Sequence, residues 1–265
     1  MDHNEVGRHW NSIAPTWTAM TRAGYDFYRD RFNTPAFLEL LPDVRGLHGL
    51  DVGCGEGYNT RLLARLGAIM SAIDISDAFV YHAAEVPSGG GDIQYGVASG
   101  VDLPFANAKF DFATSFMSFM DIPEIEVVLS EIYRVLKPSG FVQFSILHPC
   151  FDTPYRNKLL NSDGLTYAYE VGDYFRNLNG EILEFNKPNS QAAKDGFPLM
   201  RIPRFTRILS QWINSLVDAG LIIERVNEPR PTDEQVKDCS GLQDAQVVSY
   251  FLHIRARKPA VDLPG

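Results

Sequence analysis

The sequence predicts an α/β fold of three layers, a mostly parallel sheet between two sets of helices. Three observations predict it. An apolar run, His48 to Val52, leads into glycines at alternate positions, Gly53, Gly55 and Gly57, and then into a helical stretch from Tyr58 to Leu66. Further short apolar runs alternate with amphipathic segments along the chain, the pattern of strands joined by helical crossovers. Finally, 265 residues of which 45% are hydrophobic can bury the core of one elaborated domain.

The elements follow in order. Residues 1–45 form an N-terminal helical segment in which Tyr25, Tyr28 and Arg29 share a helix face by their spacing, and Pro35 opens a helix through Leu41. His48–Val52 is strand one, and Leu62, Leu63 and Leu66 mark one face of the next helix, with Gly67 as its stop. Glycines accept positive φ and let backbone approach a ligand, while the helix start presents unpaired N–H groups to an anion. Ile69–Ile73 is strand two. It ends in Asp74, 23 residues beyond Asp51, where a carboxylate can accept bonds from ribose hydroxyls; Ser76 then caps a helix through Glu85. Asp92–Val97 and Phe110–Ser115 are strands three and four, with Phe116, Met117 and Phe119 as core or pocket wall. Ile125, Val128, Leu129, Ile132 and Leu136 give a helix its inner stripe, and Phe141–Leu147 is strand five. Strand five delivers His148, a side chain that titrates near neutrality, to the end of the sheet where substrate is expected. Arg207–Ala219 is a helix with Leu209, Trp212, Ile213 and Leu216 inward. Leu221–Val226 and Gln246–Arg255 are the last strands, and Lys258–Gly265 is a frayed tail.

The run Asp51-Val52-Gly53-Cys54-Gly55-Glu56-Gly57 resembles motif I of the class I S-adenosylmethionine-dependent methyltransferases. Trp10–Trp17 resembles their N-terminal segment, Ser99–Phe105 their adenine-framing segment with serine in place of the usual aspartate, and Arg134–Gly140 their helix-to-strand string. The resemblance implies a Rossmann-like sandwich with a seven-stranded sheet whose last strand is antiparallel. It also implies S-adenosyl-L-methionine as methyl donor, held by Asp51, Gly53, Cys54, Gly55, Asp74, Ile75, Ser99, Gly100 and Phe116, with Trp17 and Tyr28 closing over it. It divides the chain into a lid segment (1–45), a donor-binding domain (46–150 and 206–258) and an inserted cap (151–205).

The cap is dense in aromatics, and Asn179-Gly180 reads as a hairpin turn between Tyr174–Leu178 and Glu181–Phe185. A lid over the cleft and a dimer interface both fit such a segment. Tyr25, Phe151, Tyr155 and Arg207 are candidates to hold the methyl acceptor, and His148 is the candidate base. The net charge of −9 disfavours nucleic acid and anionic membrane, and an aromatic-lined cap suits a small, partly apolar metabolite. No apolar run nears the ~18 residues of a membrane helix. Cys54, Cys150 and Cys239 are too few for a disulfide framework or metal knuckle, so a cytoplasmic, metal-free protein is expected, and a homodimer is possible. Two other readings stay open: a methyltransferase-like binding protein without turnover, and an NAD(P)-dependent oxidoreductase. Tyr58 opposes the latter because it occupies the place where a dinucleotide fingerprint needs a small residue.

Overall fold

In the computed structural model, which describes residues 1–185 and 190–261, the expected sheet is present. Its strands are β1 (His48–Val52), β2 (Ile69–Asp74), β3 (Ile93–Val97), β4 (Phe110–Phe116), β5 (Leu136–Leu147), β10 (Ile222–Asn227) and β11 (Phe251–Arg257), in the spatial order β10-β11-β5-β4-β1-β2-β3. The last strand, β11, runs antiparallel to both neighbours, and β1 to β5 pair in parallel. Strand order reverses at β1, which lies between β4 and β2, so a crevice opens beyond the carboxyl ends of these strands.

The helices are α1 (His3–Arg22), α2 (Thr34–Leu40), α3 (Tyr58–Arg65), α4 (Asp77–Ala84), α5 (Ile125–Val135), α6 (Gln191–Lys194), α7 (Leu209–Asp218) and α8 (Asp233–Asp238). One sheet face packs on α5 and α7: Phe110, Phe144, Ile132, Trp212 and Leu216 share a buried cluster. The other face places Met70, Phe112 and Phe141 with Leu63 of α3. Helical spacing delivers Ile125, Val128, Leu129, Ile132 and Val135 of α5 to the core, all fully buried, each worth about 1.5–3 kcal/mol of transfer free energy. α5 ends at Val135, and β5 begins at once at Leu136.

Two expectations about local structure are corrected. Tyr25, Tyr28 and Arg29 do not share a helix face. Tyr25 lies in the turn after α1, and residues Arg29–Asn33 form a π-helical turn leading into α2, so the two tyrosines point apart. The Tyr25 hydroxyl donates to Asp195, whereas the Tyr28 hydroxyl donates to Asp244 Oδ1 (2.7 Å) and Gly241 O (3.1 Å).

Asn179-Gly180 is not a hairpin turn either. In the 151–205 segment, β6 (Tyr155–Leu160) pairs with β7 (Thr166–Gly172), and β8 (Asn179–Phe185) pairs with β9 (Met200–Phe205), both antiparallel. Gly180, at φ +94°, sits where the β8–β9 register shifts between Asn179 and Glu181. Its left-handed conformation makes a bulge at the start of a strand rather than a turn between two. Lys258 is fastened by its ammonium donating to the carbonyls of Tyr133 and Leu136 (2.8 and 3.0 Å), so it is not frayed; residues 262–265 of the expected tail lie outside the described residues.

Candidate functional site

A cavity of about 620 Å³ opens beyond the carboxyl ends of β1, β2 and β4 and runs under the 151–205 segment. The glycine turn forms one wall. Gly53, Gly55 and Gly57 all have positive φ (+73°, +54° and +80°). The N–H groups of Gly53 and Cys54 both donate to Ile73 O (2.9 and 3.0 Å), which holds the turn against β2. A Cβ on Gly53 would stand 1.8 Å from Ser118 Oγ, so glycine is obligatory there, whereas a Cβ on Gly55 would project into open space. The chain reaches Ser118 because Met117, at the end of β4, takes a left-handed φ of +56°.

Asp74 closes the second wall. Its Oδ2 accepts from Gly55 N–H and its Oδ1 from Ser76 N–H, both at 2.9 Å, and each oxygen keeps a lone pair. Burial raises its pKa, while the amides of Ser76, Gly55 and Ile75 work to keep it ionised. Ile75, Ser99, Gly100 and Phe116 line the same end, as do Trp10 and Trp17 of α1, whose rings meet edge to face at 5.6 Å. Trp17 also packs on Phe185 of β8 (5.2 Å between centroids), joining α1 to the segment overhead. Arg29 enters from the π-helical turn. It lies 4.1 Å over the Tyr58 ring, bonds Asp30 at 2.8 Å and stands 3.6 Å from the buried Glu56, which Arg61 also pairs at 2.8 Å.

Of the residues expected at the site, Gly53, Cys54, Gly55, Asp74, Ile75, Ser99, Gly100, Phe116, Trp17, Tyr28 and Arg207 line the cavity. Asp51 does not. Its carboxylate sits behind the turn and accepts from the Thr60 and Thr114 hydroxyls (2.5 and 3.0 Å). Burial pushes it up to about 6 against those two hydroxyls, so it braces the turn rather than facing a ligand. The Cys54 thiol donates to Gly55 O (3.7 Å), and burial and then Asp74 raise it well above its ordinary pKa.

His148 is also off the cavity. Its ring is 3% exposed, Nε2 is 2.6 Å from Glu228 Oε1, and Nδ1 accepts from Cys150 N–H at 3.2 Å, so both ring nitrogens are engaged. Its ring packs on Phe151 (4.9 Å), which likewise does not line the space. Tyr155 is 51% exposed and bonds Glu170, and Tyr25 packs on Phe197; neither reaches the cavity.

The far end has a wall that sequence reasoning missed. Met120, Ile122, Leu147, Leu183, Ile202, Phe205 and Trp212 make it apolar. Set into it are Asp121, in the 3₁₀ turn Phe119–Asp121 after β4, Asp152 after β5, Arg204 on β9 and Arg207 before α7. Arg204 pairs with Asp152 (2.7 Å), and Arg156 reaches the same carboxylate at 3.2 Å. Arg207 donates through Nη2 to the carbonyls of Ile122 and Pro123 (2.7 and 2.6 Å), while its buried Nη1 has no partner among the described residues. The Asp121 carboxyl is pushed up to about 8, first by burial, then by Asp152, against the pull of Arg207 and Arg204. In the sequence Asp121 is the one charged residue between Phe116 and Ile122; that was its only signal. Arg29 was legible as a neighbour of Tyr25 and Tyr28 but not as a wall of the cavity.

A parallel sheet with a glycine turn after β1, an acid closing β2 and an antiparallel last strand defines a Rossmann-like S-adenosylmethionine-binding protein. Residues 50–144 match the family described as a methyltransferase domain. The chain is 30% identical over 178 residues to the demethylmenaquinone methyltransferase of Tropheryma whipplei, covering 62% of this chain and 74% of that one. It is 33% identical over 189 residues to the fatty-acid O-methyltransferase of Mycolicibacterium smegmatis, covering 70% of this chain and 65% of that one. The crystal structure of the S-adenosylmethionine-dependent methyltransferase from Mesorhizobium loti superposes with a TM-score of 0.67 at 25% identity, over 84% of this chain and 96% of that one. The chain belongs to the S-adenosylmethionine-dependent methyltransferase family, and S-adenosyl-L-methionine is its cofactor.

The residues present fit that cofactor. Open space lies over Gly55, the Asp74 carboxylate lines the cavity with acceptor capacity beyond its backbone bonds, and the cavity measures about 620 Å³. Among the described residues no cluster could hold a metal ion, and no helix is long and apolar enough to cross a membrane.

Proposed function

We propose that this methyltransferase acts on a small, largely apolar acceptor that occupies the cavity under the 151–205 segment. One observation carries the reading: the donor wall and the apolar wall line a single continuous space. The two relatives named above are a demethylmenaquinone and a fatty-acid methyltransferase, both names of apolar acceptors, which supports it.

Asp74 accepts the ribose hydroxyls, Ser99, Gly100 and Ile75 frame the adenine, and Gly53–Gly55 with Cys54 lie along the methionine. Tyr28 and Trp17 close the space, and Arg29 faces the methionyl carboxylate. Asp51 holds the turn from behind. When bound, the donor supplies an electrophilic methyl on a sulfonium with a neutral leaving group. The protein's task is then placement: holding the acceptor at near-attack distance is worth up to about 7–11 kcal/mol of barrier. Leu183, Ile202, Phe205 and Trp212 exclude water from that place, and Arg207 orients a polar group on the acceptor.

The chain works as a lid segment (1–45), a donor-binding domain (46–150 and 206–258) and a cap (151–205). The net charge of −9 supports a small molecule rather than nucleic acid as partner, and the three scattered cysteines suit the cytoplasm. Phe175 and Tyr167, 82% and 61% exposed, support a homodimer through the cap, which sedimentation at graded concentration tests. The reading as a whole is tested by incubating the protein with methyl-labelled donor and, separately, quinols, phenols and fatty acids. Label should pass to at least one. Donor binding without transfer to any of them would overturn the acceptor class.

A further inference from the structure

Most of the acids around the cavity already have an occupation. Asp74 is tied to the glycine turn, Asp152 to Arg204 and Arg156, and Glu56 to Arg61. Asp121 and the exposed Glu184 are the exceptions among the described residues, and Asp121 is the half-buried one. No donor among the described residues is hydrogen-bonded to its carboxylate, although the residue lines the cavity. Its position is fixed at both sides. The preceding Ser118 lies against Gly53 of the donor turn, and Asp121 N–H donates to Ser118 O at 2.9 Å. The following Ile122 and Pro123 present their carbonyls to Arg207. Asp121 thus stands between the glycine turn and the apolar wall, where donor and acceptor must meet.

We propose that Asp121 is the general base of the transfer, taking the proton from a hydroxyl or phenolic acceptor, so that the methyl is delivered to oxygen. This rests on the methyl-transfer reading above. As the acceptor oxygen forms its bond to the methyl carbon, the carbon–sulfur bond breaks and its electron pair stays on sulfur, cancelling the sulfonium charge. The acceptor's O–H proton passes to an Asp121 carboxylate oxygen and leaves to solvent after product departs. No further reactant is needed.

The charged groups around Asp121 suit that task. Asp152 raises its affinity for a proton, while Arg207 and Arg204 keep the ionised form within reach. Glu126, Asp121 itself and Glu124 hold the Arg207 charge against burial. The resulting pKa of about 8 is close to the operating range of a base, and far better matched to a phenol than an ordinary carboxylate is. A carboxylate acceptor fits less well. It has no proton to lose, and it would meet both Asp121 and Asp152. His148, with both ring nitrogens engaged, offers no competing base.

The test compares wild type, Asp121→Asn and Asp121→Glu on two phenols at pH 8: unsubstituted phenol, which is neutral there, and 4-nitrophenol, which is already ionised. Donor binding to each protein is read by calorimetry with S-adenosylhomocysteine. Asp121→Asn should bind this product as wild type does, lose about 100-fold or more in kcat/KM on phenol, and lose less than about tenfold on 4-nitrophenol. Asp121→Glu should recover part of the loss on phenol. Wild-type kcat/KM on phenol should rise with pH through about 8, and the rise should vanish in Asp121→Asn. Equal losses on the two phenols would reduce Asp121 to a structural role and overturn the proposal. So would a wild type that binds the product yet methylates no phenol. Calorimetric silence of the wild type would instead overturn the methyl-transfer reading, and the base with it.

Discussion

The donor wall of the cavity is made largely of backbone, and the acceptor wall of side chains. On the donor side, Gly53, Cys54 and Gly55 are positioned by amides bonded to Ile73 O and Asp74 Oδ2, all within two adjacent strand ends. On the acceptor side, Asp121, Asp152 and the stretch carrying Arg204 and Arg207 are three separate segments, brought together as β9 packs against the 3₁₀ turn. A wall of backbone leaves little room for variation, since changing a side chain does not move it. A wall of side chains can be re-cut residue by residue. One fold can therefore keep its donor while changing its acceptor.

If that contrast is right, substitutions should sort by wall. The largest effect belongs to Gly53→Val. Its Cβ would overlap Ser118 Oγ, and valine at φ +73° adds backbone strain. Together these cost about 2–5 kcal/mol and should abolish measurable donor binding. Retained affinity by calorimetry would mean that the turn is softer than its bonding suggests.

Asp74→Ala comes next. Loss of charge-assisted bonds to the donor should cost about 1.5–3 kcal/mol in affinity, with acceptor KM little changed. An unaltered donor Kd would remove Asp74 from the site.

On the acceptor wall, Asp121→Asn should stabilise the fold while it damages turnover. The folded-state pKa of Asp121, about 8, lies above the unfolded value near 3.8. Its contribution to stability is therefore fully present below about pH 4 and is lost as pH rises toward 8. The gain in Tm from Asp121→Asn should accordingly grow between pH 5 and pH 8. A gain independent of pH would show that the carboxyl is not held in its neutral form.

The smallest effect on catalysis is expected of His148→Ala, which should leave donor affinity and kcat near wild type and cost about 1 kcal/mol of stability through the lost bonds to Glu228 and Cys150. A large fall in kcat would return the histidine to the chemistry.

The same contrast explains what could be read in advance. Alternating apolar runs and the glycines after β1 specify the sheet and the donor wall because both are local: residues near in sequence are near in space. Asp74 was legible for the same reason, standing at the end of one strand and next to the turn on another. Asp121 became a neighbour of Arg204 and Arg207 only through contacts of long sequence separation. His148 was misplaced by one strand-end turn. The chain does deliver it to the carboxyl end of β5, but its ring is bonded to Glu228, just beyond β10, and stays off the cavity. Asn179-Gly180 carries a turn composition, yet Asn179 pairs with Phe205, a residue no local window includes. Tyr25 and Tyr28 were separated by a π-helical turn, and a period of 3.6 residues cannot anticipate that.

Pro15 lies inside α1, where it has no N–H to give to the carbonyl of Asn11. The helix is tied down on both sides of that break: Ile13 and Trp17 both pack on the cap cluster, and Arg22 donates to His82 O of α4 at 2.7 Å. Before it, the Asn11 side chain accepts from the Ser76 hydroxyl and Ala78 N–H (2.6 and 3.0 Å), tying this half to α4. After it, Met20 shares a small buried cluster with Ala192 and Met200 of the cap, with Trp17 packed against it. A catalyst that encloses its cosubstrate must uncover it once per cycle, and a missing rung is the cheapest place to bend.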